Sequence, residues 1–208
     1  MKIGIVGAGM IGGTTARLFA KAGHDVAVSN SRGPESLGDI LKQIGPTARA
    51  MTVDDAARWA DVVLLAVPWR SPEALPDPAA VKGKIVIDAM NPYGADGSVA
   101  SLGATSSSEE TAKRLPGARL VKAFNTIWFK HLAERGRADL EADDRHAIFV
   151  AGDDADAKRV VSGLIADIGF GAVDTGSLAD GKRQEPNSSL YNKVMTAREG
   201  RAAVGRRT

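Results

Sequence analysis

Residues 1–37 read MKIGIVGAGMIGGTTARLFAKAGHDVAVSNSRGPESL and carry a glycine-rich loop between two regular patterns. Ile3–Val6 is a short apolar run that predicts a buried strand, and Ile11–Ala22 predicts a helix. The connection between them, GAGMIG at positions 7–12, has the spacing Gly-x-Gly-x-x-Gly. A strand, such a loop and a helix in succession predict a dinucleotide-binding unit.

Each glycine of this loop has a physical reason to be there. Gly7 permits the tight turn, Gly9 lets the backbone approach a pyrophosphate, and Gly12 lets the helix pack closely on the strand. The free N–H groups at the helix start, together with the positive end of the helix dipole, attract phosphate. We therefore predict that a cofactor contacts six consecutive residues, namely Gly7, Ala8, Gly9, Met10, Ile11 and Gly12.

A second predicted strand, Val26–Ser29, is followed by Asn30, Ser31 and Arg32 instead of the acidic residue that holds an NAD ribose. A carboxylate there would repel a 2′-phosphate, whereas a hydroxyl, an amide and a planar guanidinium can all donate hydrogen bonds to one. The helix predicted from Pro34 adds further free N–H groups nearby. We predict cofactor contacts from these three residues and a preference for NADP(H); the alternative is that Arg32 is a solvated loop residue.

Apolar runs alternate with helical patterns along the rest of the chain, which is typical of βαβ units. Further strands are predicted near Ala48–Met51, Asp61–Val67, Lys84–Asp88, Ala118–Ala123, Ala147–Val150 and Ala172–Asp174. Because βαβ crossovers are right-handed, this order predicts an α/β fold with a doubly wound, mostly parallel sheet of the Rossmann type. Ligands of such sheets bind beyond the carboxyl ends of the strands, where the strand order reverses.

Helices and a C-terminal extension complete the predicted fold. Further helices are expected at residues 34–44, 107–116 and 155–168. A capping box is predicted at Ser107–Glu110. Ala179–Pro186 is polar and predicts a loop, followed by a last helix from Ser188. We expect residues 1–178 to form an NADP-binding Rossmann domain and residues 179–208 to form a C-terminal loop and helix, as a dimer arm or a lid.

The fourth and fifth predicted strands each end in a proline-containing turn, which suits a loop that closes over a ring. We predict that the nicotinamide half of the cofactor contacts Ala66, Val67 and Pro68 in one turn and Ala89, Met90, Asn91 and Pro92 in the other. Asn91 either holds the carboxamide or braces its turn. The predicted substrate contacts are Trp69, Phe124, Asn125 and Thr126. For Trp69 and Phe124 the alternative is a position in the core.

No side chain stands out as a catalytic acid, so the catalytic residue is left unassigned. Lys122 and His131 are the candidates, although a structural salt bridge is the commoner fate of such a lysine. A chain of 208 residues leaves no room for a large second domain that would enclose a small flexible substrate. We therefore expect a small-molecule acceptor with its own reactive ring, a flavin or a deazaflavin, positioned mainly by proximity.

Composition narrows the class of partners. The formal net charge of +2 gives no argument for binding nucleic acid or a membrane, and the basic tail with Arg198, Arg201, Arg206 and Arg207 is typical of a solvated end. No apolar run approaches the ~20 residues needed to cross a bilayer. The N-terminal segment has some features of a secretory signal, but glycines interrupt its apolar core, so we expect no such signal. The absence of cysteine excludes thiolate metal sites and fits a reducing cytoplasm, and we expect no metal site.

The segments MKIGIVGAGMIGGTTARLFAKAGHDVAVSNSRGPESL, DVVLLAVPW, VIDAMNP and LVKAFNTI together resemble NADP-dependent oxidoreductases related to deazaflavin (coenzyme F420):NADP reductase. The resemblance extends from Met1 to about Asp174. It implies a Rossmann domain, often in a homodimer, that transfers a hydride between NADPH and deazaflavin. It also implies that the Gly7–Gly12 loop holds the pyrophosphate and that Ser31 and Arg32 hold the 2′-phosphate. The same family resembles the NADPH-binding domain of membrane ferric reductases, which passes a hydride to a flavin.

Two features depart from the deazaflavin enzymes. The loop Gly7–Gly13 differs from their Gly-Gly-Thr-Gly-Asn type of loop, and the sequence Phe124–Thr126 differs from theirs after the sixth strand. These departures leave the NADP prediction in place and leave the acceptor open. The alternatives are a dimeric imine or carbonyl reductase that uses Lys122 or His131 as its acid, and a non-enzymatic NADPH sensor.

Overall fold

An eight-stranded sheet forms the centre of the computed structural model, in which residues 1–205 are described. The strands are β1 (Lys2–Val6), β2 (Asp25–Ser29), β3 (Arg49–Ala50), β4 (Val62–Leu65), β5 (Ile85–Asp88), β6 (Arg119–Ala123), β7 (Ala147–Ala151) and β8 (Gly171–Gly176). They lie in the order β3-β2-β1-β4-β5-β6-β7-β8, and every neighbouring pair is parallel except β6 and β7. The predicted Rossmann-type α/β fold with a mostly parallel sheet is confirmed.

Helices cover both faces of this sheet. They are α1 (Met10–Lys21), α2 (Gly38–Ile44), α3 (Val53–Trp59), α4 (Pro78–Val81), α5 (Ser107–Arg114), α6 (Phe129–Glu134), α7 (Ala155–Asp167) and α8 (Ala197–Gly205). Phe19 of α1 and Leu164 of α7 belong to the buried apolar cluster on one face. Ala57 of α3 and Val81 of α4 belong to the cluster on the other face. Helices α3, α4 and α6 were not predicted.

Strand β4 shows why the sheet needs helices on both sides. Val62 and Leu64 join the first cluster, and Val63 and Leu65 join the second. All four side chains are 0% exposed. A strand that is buried on both faces requires a continuous apolar run instead of alternation, which is what made this strand easy to predict.

The capping box of α5 lies one residue earlier than predicted. Its N-cap is Ser106, whose Oγ accepts the Glu109 N–H at 3.1 Å, while Glu109 Oε2 accepts the Ser106 N–H at 2.7 Å. Ser106 Oγ also donates to the backbone oxygen of Leu178 at 3.0 Å. The sequence fits a capping box at 106–109 as well as at 107–110, and this long-range contact favours the first of the two.

The C-terminal segment also differs from the prediction. Ala179–Gln184 forms a 3-10 helix instead of a loop, and α8 begins at Ala197 instead of near Ser188. Gln184 is 0% exposed, and its Nε2 donates to Thr175 Oγ1 at 2.8 Å. A polar sequence that predicts a solvated loop is therefore ordered here by a buried partner on β8.

The basic tail predicted at the C-terminus lies only partly within the described residues. Arg206 and Arg207 of the basic tail lie outside the described residues, whereas Arg198 forms an ion pair with Asp144 at 3.2 Å. The division of the chain at residue 178 stays a prediction. None of the helices within residues 1–205 combines the length and the apolar character that crossing a bilayer requires.

Candidate functional site

The carboxyl ends of the parallel strands meet at one edge of the sheet, and the strand order reverses there between β1 and β4. Three cavities open along this edge. The phosphate-loop cavity, about 440 Å³, lies among Gly7–Gly9, Asn30–Arg32 and Ala66–Pro68. The α1–α2 cavity, about 590 Å³, lies between those two helices. The rim cavity, about 220 Å³, lies at the ends of β5 and β6.

The glycine loop is tight at two of its three glycines and open at the third. Gly7 has a φ of +105°, and a β-carbon there would lie 2.4 Å from the Ala66 oxygen. A β-carbon at Gly12 would lie 1.8 Å from the Gly7 oxygen. A β-carbon at Gly9 would meet no atom of the described residues within 4 Å. Gly7 and Gly12 are therefore required by the fold, whereas Gly9 leaves room for a ligand to approach the backbone.

Helix α1 presents its N-terminus to this open space. Its N-cap is Gly9, which offers no side chain to bond the first N–H groups, and its first turn carries no acidic residue. The first N–H groups of a helix have no partner within the helix, and the helix dipole makes them attractive to an anion. An anionic ligand can therefore reach these groups without displacing a capping side chain.

Asn30 organises the loop that follows β2. Its Oδ1 accepts the Arg32 N–H at 2.9 Å, and its Nδ2 donates to Ser36 Oγ at 2.9 Å. Ser36 Oγ also donates to the Gly33 oxygen at 2.8 Å. The amide that the sequence suggested as a phosphate donor is thus used inside the loop. These hydrogen bonds order the loop that carries the exposed Ser31 and Arg32.

Arg32 lines both the phosphate-loop cavity and the α1–α2 cavity. Its guanidinium is exposed, and no side chain among residues 1–205 pairs with it. Arg17 lines the α1–α2 cavity as well, where its Nη2 donates to Thr14 Oγ1 at 3.0 Å. This end of the edge therefore carries two permanent positive charges, one of them free to bind an anion.

At the other end of the edge, Asn91 and Asn125 join the ends of β5 and β6. Asn125 Nδ2 donates to Asn91 Oδ1 at 3.0 Å, and Asn91 Nδ2 donates to the Asn125 oxygen at 2.9 Å. Asn91 thus braces its turn, which was one of the two interpretations. Asn125 is 4% exposed, and its Oδ1 has no hydrogen-bond partner within residues 1–205.

Phe124 redirects the chain from β6 toward this asparagine pair. Its φ of +66° lies in the left-handed region that bulky side chains rarely adopt. The ring is fully buried and meets Phe19 edge-on at 6.2 Å, yet it also lines the rim cavity. Two residues after Phe124, the backbone oxygen of Thr126 accepts the Asn192 N–H at 2.9 Å. Phe124 is therefore both a core residue and a cavity wall.

Trp69 does not line any of the three cavities. Its Nε1 donates to the Ser107 oxygen at 3.1 Å, and the Arg114 guanidinium lies 4.9 Å from its ring. These contacts hold Trp69 against α5, so the structure favours the core interpretation over contact with a substrate.

The two candidate acids do not line the rim cavity either. Lys122 is 0% exposed, and its Nζ donates to the Met90 oxygen at 3.0 Å and to Ser107 Oγ at 3.2 Å, with Asp88 Oδ2 at 3.8 Å. His131 lies on α6. The fully enclosed position of Lys122 fits the structural role that is the commoner fate of such a lysine.

Several lining residues were missed in the sequence. Those of the rim cavity are Ile127, Trp128, Phe129, Tyr191 and Asn192. Those of the other two cavities include Thr14, Arg17, Ser36, Val53, Ser71 and Glu73. Trp128 is 43% exposed and lines the rim cavity. Tyr191 reaches the rim from the C-terminal segment, and no local pattern could have indicated that contact.

Comparison with known proteins identifies the relatives of this chain. Residues 2–92 match the family described as NADP oxidoreductase, coenzyme F420-dependent. A hypothetical protein from Sinorhizobium meliloti is 33% identical, with a TM-score of 0.82 over 94% of this chain and 95% of that one. A proposed F420-dependent NADP-reductase from Arthrobacter sp. FB24 is 26% identical, with a TM-score of 0.78 over 94% of this chain and 99% of that one.

A longer curated relative also resembles this chain. The metalloreductase STEAP3 of Rattus norvegicus is 29% identical over 189 residues, which cover 88% of this chain. The chain spans only 36% of the length of that relative. The resemblance predicted from the glycine loop and the strand ends is confirmed by these matches. The chain is therefore related to the NADP oxidoreductases described as coenzyme F420-dependent, with the family match in residues 2–92.

Proposed function

We propose that this chain transfers a hydride between NADP(H) and a planar ring acceptor, coenzyme F420 or a flavin. The observation that carries the proposal is a single sheet edge with an unpaired arginine at one end and an aromatic cavity at the other. Between them lies the open N-terminus of α1. This order of groups matches a 2′-phosphate, a pyrophosphate and a nicotinamide laid along the edge.

The residues present fit NADP(H). In this proposal the backbone of Gly7–Gly12 holds the pyrophosphate, because Gly9 leaves open space there and the helix N-terminus is uncapped by a side chain. Ser31 and Arg32 hold the 2′-phosphate, because the guanidinium is exposed and free of any partner within residues 1–205. A charge-assisted, bidentate contact of this kind would favour NADP(H) over NAD(H).

The turns Ala66–Pro68 and Ala89–Pro92 flank the proposed position of the nicotinamide. When bound, NADPH supplies a hydride from its nicotinamide ring. Phe124, Trp128 and Phe129 line the rim cavity and would give the acceptor an apolar, aromatic surface there. The chain contributes proximity, orientation and partial exclusion of water, and these are the main demands of a transfer between two rings.

The relatives support a ring acceptor, because the matched family is described as coenzyme F420-dependent. Following the same resemblance, we propose a homodimer in which residues 179–208 form an arm or a lid, and from the absence of cysteine we propose a cytoplasmic location. Residues 206–208 of that segment lie outside the described part of the chain.

The test is an anaerobic mixture of the purified chain with NADPH and either deazaflavin or FMN, followed by acceptor absorbance. We expect bleaching of at least one acceptor. Turnover of imines or carbonyls alone would favour the alternative reductase. NADPH binding without oxidation by any acceptor would favour a sensor and overturn the proposal.

Arg32→Ala tests the phosphate contact within the same experiment. Loss of a charged hydrogen bond to phosphate costs about 1.5–3 kcal/mol, so we expect NADPH affinity to fall ~10- to 100-fold while NADH affinity changes little. Arg159→Ala is the matched control, because this exposed arginine on α7 pairs with Asp156, three residues away, and lines none of the three cavities. Equal losses for NADPH and NADH in Arg32→Ala would contradict the assignment of Arg32 to the 2′-phosphate.

A further inference from the structure

The chain contains two tyrosines, and the fold brings both together. Tyr93 and Tyr191 are 98 positions apart, and their hydroxyl oxygens lie 3.1 Å from each other. Both side chains are partly buried. One hydroxyl donates to the other, so the pair retains one further O–H that can donate to a third group.

Both tyrosines are held in place by backbone contacts at the same sheet edge. The Tyr93 N–H donates to the Asn91 oxygen at 2.8 Å. The residue after Tyr191, Asn192, donates its N–H to the Thr126 oxygen at 2.9 Å, and the residue before it, Leu190, is 2% exposed. The Tyr191 side chain lines the rim cavity. Its hydroxyl is thus positioned by the ends of β5 and β6, independently of any ligand.

The proposed reaction needs a proton at this place. A hydride carries two electrons and one hydrogen nucleus, so a heteroaromatic ring that accepts it gains a negative charge on its conjugated nitrogen or oxygen atoms. One proton must follow to complete the reduction. Of the described residues that line the rim cavity, only Tyr191 carries an ionisable proton. Lys122 is fully enclosed by other partners and does not line this cavity.

We propose that Tyr191 Oη donates a proton to the reduced ring acceptor and that the Tyr93 hydroxyl returns a proton to it. The Tyr191 O–H bond breaks as the new bond to the acceptor nitrogen or oxygen forms, and the phenolate takes the proton of Tyr93, which regains one from water. This inference rests on the proposed function. It extends that function by naming a proton donor and by requiring an acceptor with a nitrogen or carbonyl oxygen near its hydride-accepting carbon.

Two further observations agree with this role. Burial raises the pKa of Tyr191 above its ordinary range, so its hydroxyl carries a proton near neutral pH. Asn125, whose buried Oδ1 has no hydrogen-bond partner within residues 1–205, lines the same cavity.

The test compares Tyr191→Phe and Tyr93→Phe with the wild-type chain in the anaerobic assay, in ordinary and in heavy water. For Tyr191→Phe we expect kcat to fall about 100-fold, with KM for NADPH within about twofold of wild type. For Tyr93→Phe we expect a smaller fall in kcat, since the donor itself remains. The solvent isotope effect on kcat in the wild-type chain should be absent in Tyr191→Phe.

A measurement without cofactor or acceptor checks the pair itself. The ultraviolet absorbance of tyrosinate, titrated with base, reports only on these two side chains. In Tyr93→Phe, the pH at which Tyr191 ionises should differ from that in the wild-type chain, because the hydrogen-bond partner of its hydroxyl is removed. An unchanged ionisation would show that the two hydroxyls are not paired and would overturn the relay.

The kinetic outcomes separate the two proposals. Full turnover of Tyr191→Phe, with the wild-type isotope effect retained, would overturn the role of Tyr191 and leave the proposed function intact. No turnover of any ring acceptor by the wild-type chain would overturn the proposed function, and the proton-donor role with it.

Discussion

At the scale of single residues, the glycine loop separates what the fold needs from what the ligand needs. Gly9 has ordinary backbone angles, with φ of −78°, and open space where a β-carbon would stand. Gly12 has the Gly7 oxygen 1.8 Å from that position. A methyl group at Gly9 would therefore obstruct a ligand without disturbing the fold, and one at Gly12 would push α1 away from the loop.

We predict that Gly9→Ala unfolds within about 0.5 kcal/mol of the wild-type free energy but binds NADPH at least ~10-fold more weakly. Gly12→Ala should lose about 2 kcal/mol or more, because overpacking against backbone cannot be relieved by a rotamer change. Urea unfolding and fluorescence titration with NADPH measure the two quantities. Equal stability in both variants would refute this division of roles.

At the scale of elements, one buried lysine connects β5, β6 and α5. Lys122 on β6 reaches the Met90 oxygen after β5, the Ser107 hydroxyl on α5 and the Asp88 carboxylate on β5. Asp88 is also 0% exposed and accepts from Ser108 Oγ at 2.7 Å. These contacts hold the strand end that carries Asn91 in place beside the strand end that carries Asn125.

We predict that Lys122→Met lowers the free energy of unfolding by about 3–5 kcal/mol, because it leaves the Asp88 carboxylate buried without its cation. Lys42→Met is the control, since that lysine side chain is 80% exposed and should change stability by less than about 0.5 kcal/mol. Urea unfolding measures both. A stable Lys122→Met variant without turnover would instead support Lys122 as an acid in the alternative reductase.

At the scale of the whole molecule, His146 lies where the C-terminal segment closes on the sheet. Its backbone oxygen accepts the Gly171 N–H at 2.9 Å, and it forms an isolated β-bridge with Thr196. Burial, together with the nearby Arg135 and His131, lowers the pKa of His146 from 6.5 to about 4. The folded chain therefore holds this imidazole neutral over a range in which the unfolded chain protonates it.

This difference makes stability depend on pH. Between pH 6.5 and about 4 the unfolded state binds more protons at this site, so the His146 contribution to stability falls as the pH falls through that window. We predict that His146→Gln removes about 1–2 kcal/mol of this dependence, a value reduced for partial exposure of the ring. Thermal unfolding at pH 7, 5.5 and 4 measures it. If the melting temperatures of the variant and the wild type fell by the same amount between pH 7 and pH 4, another group would be responsible.

The sequence by itself determined the sheet and the end of the candidate site that contains the glycine loop and Arg32. Residues 1–37 encode strand, loop, helix and strand through contacts between neighbours in the chain, so Gly7–Gly12, Ser31 and Arg32 could be found from spacing and chemistry alone. Apolar runs such as Val62–Leu65 revealed the central strands for the same reason. The short helices, such as α4 with four residues, lack enough turns to show a period and were missed.

Only the tertiary structure decided the other end of the candidate site, around the rim cavity. Ser106 became the cap of α5 through Leu178, and Gln184 became a buried residue through Thr175. The same kind of contact brought Tyr191 to Tyr93 and enclosed Lys122. Each of these roles depends on a hydrogen bond or on burial supplied by a residue far away in the chain. Local periodicity holds no information about such partners, because a polar side chain looks the same in sequence whether water or a buried group satisfies it.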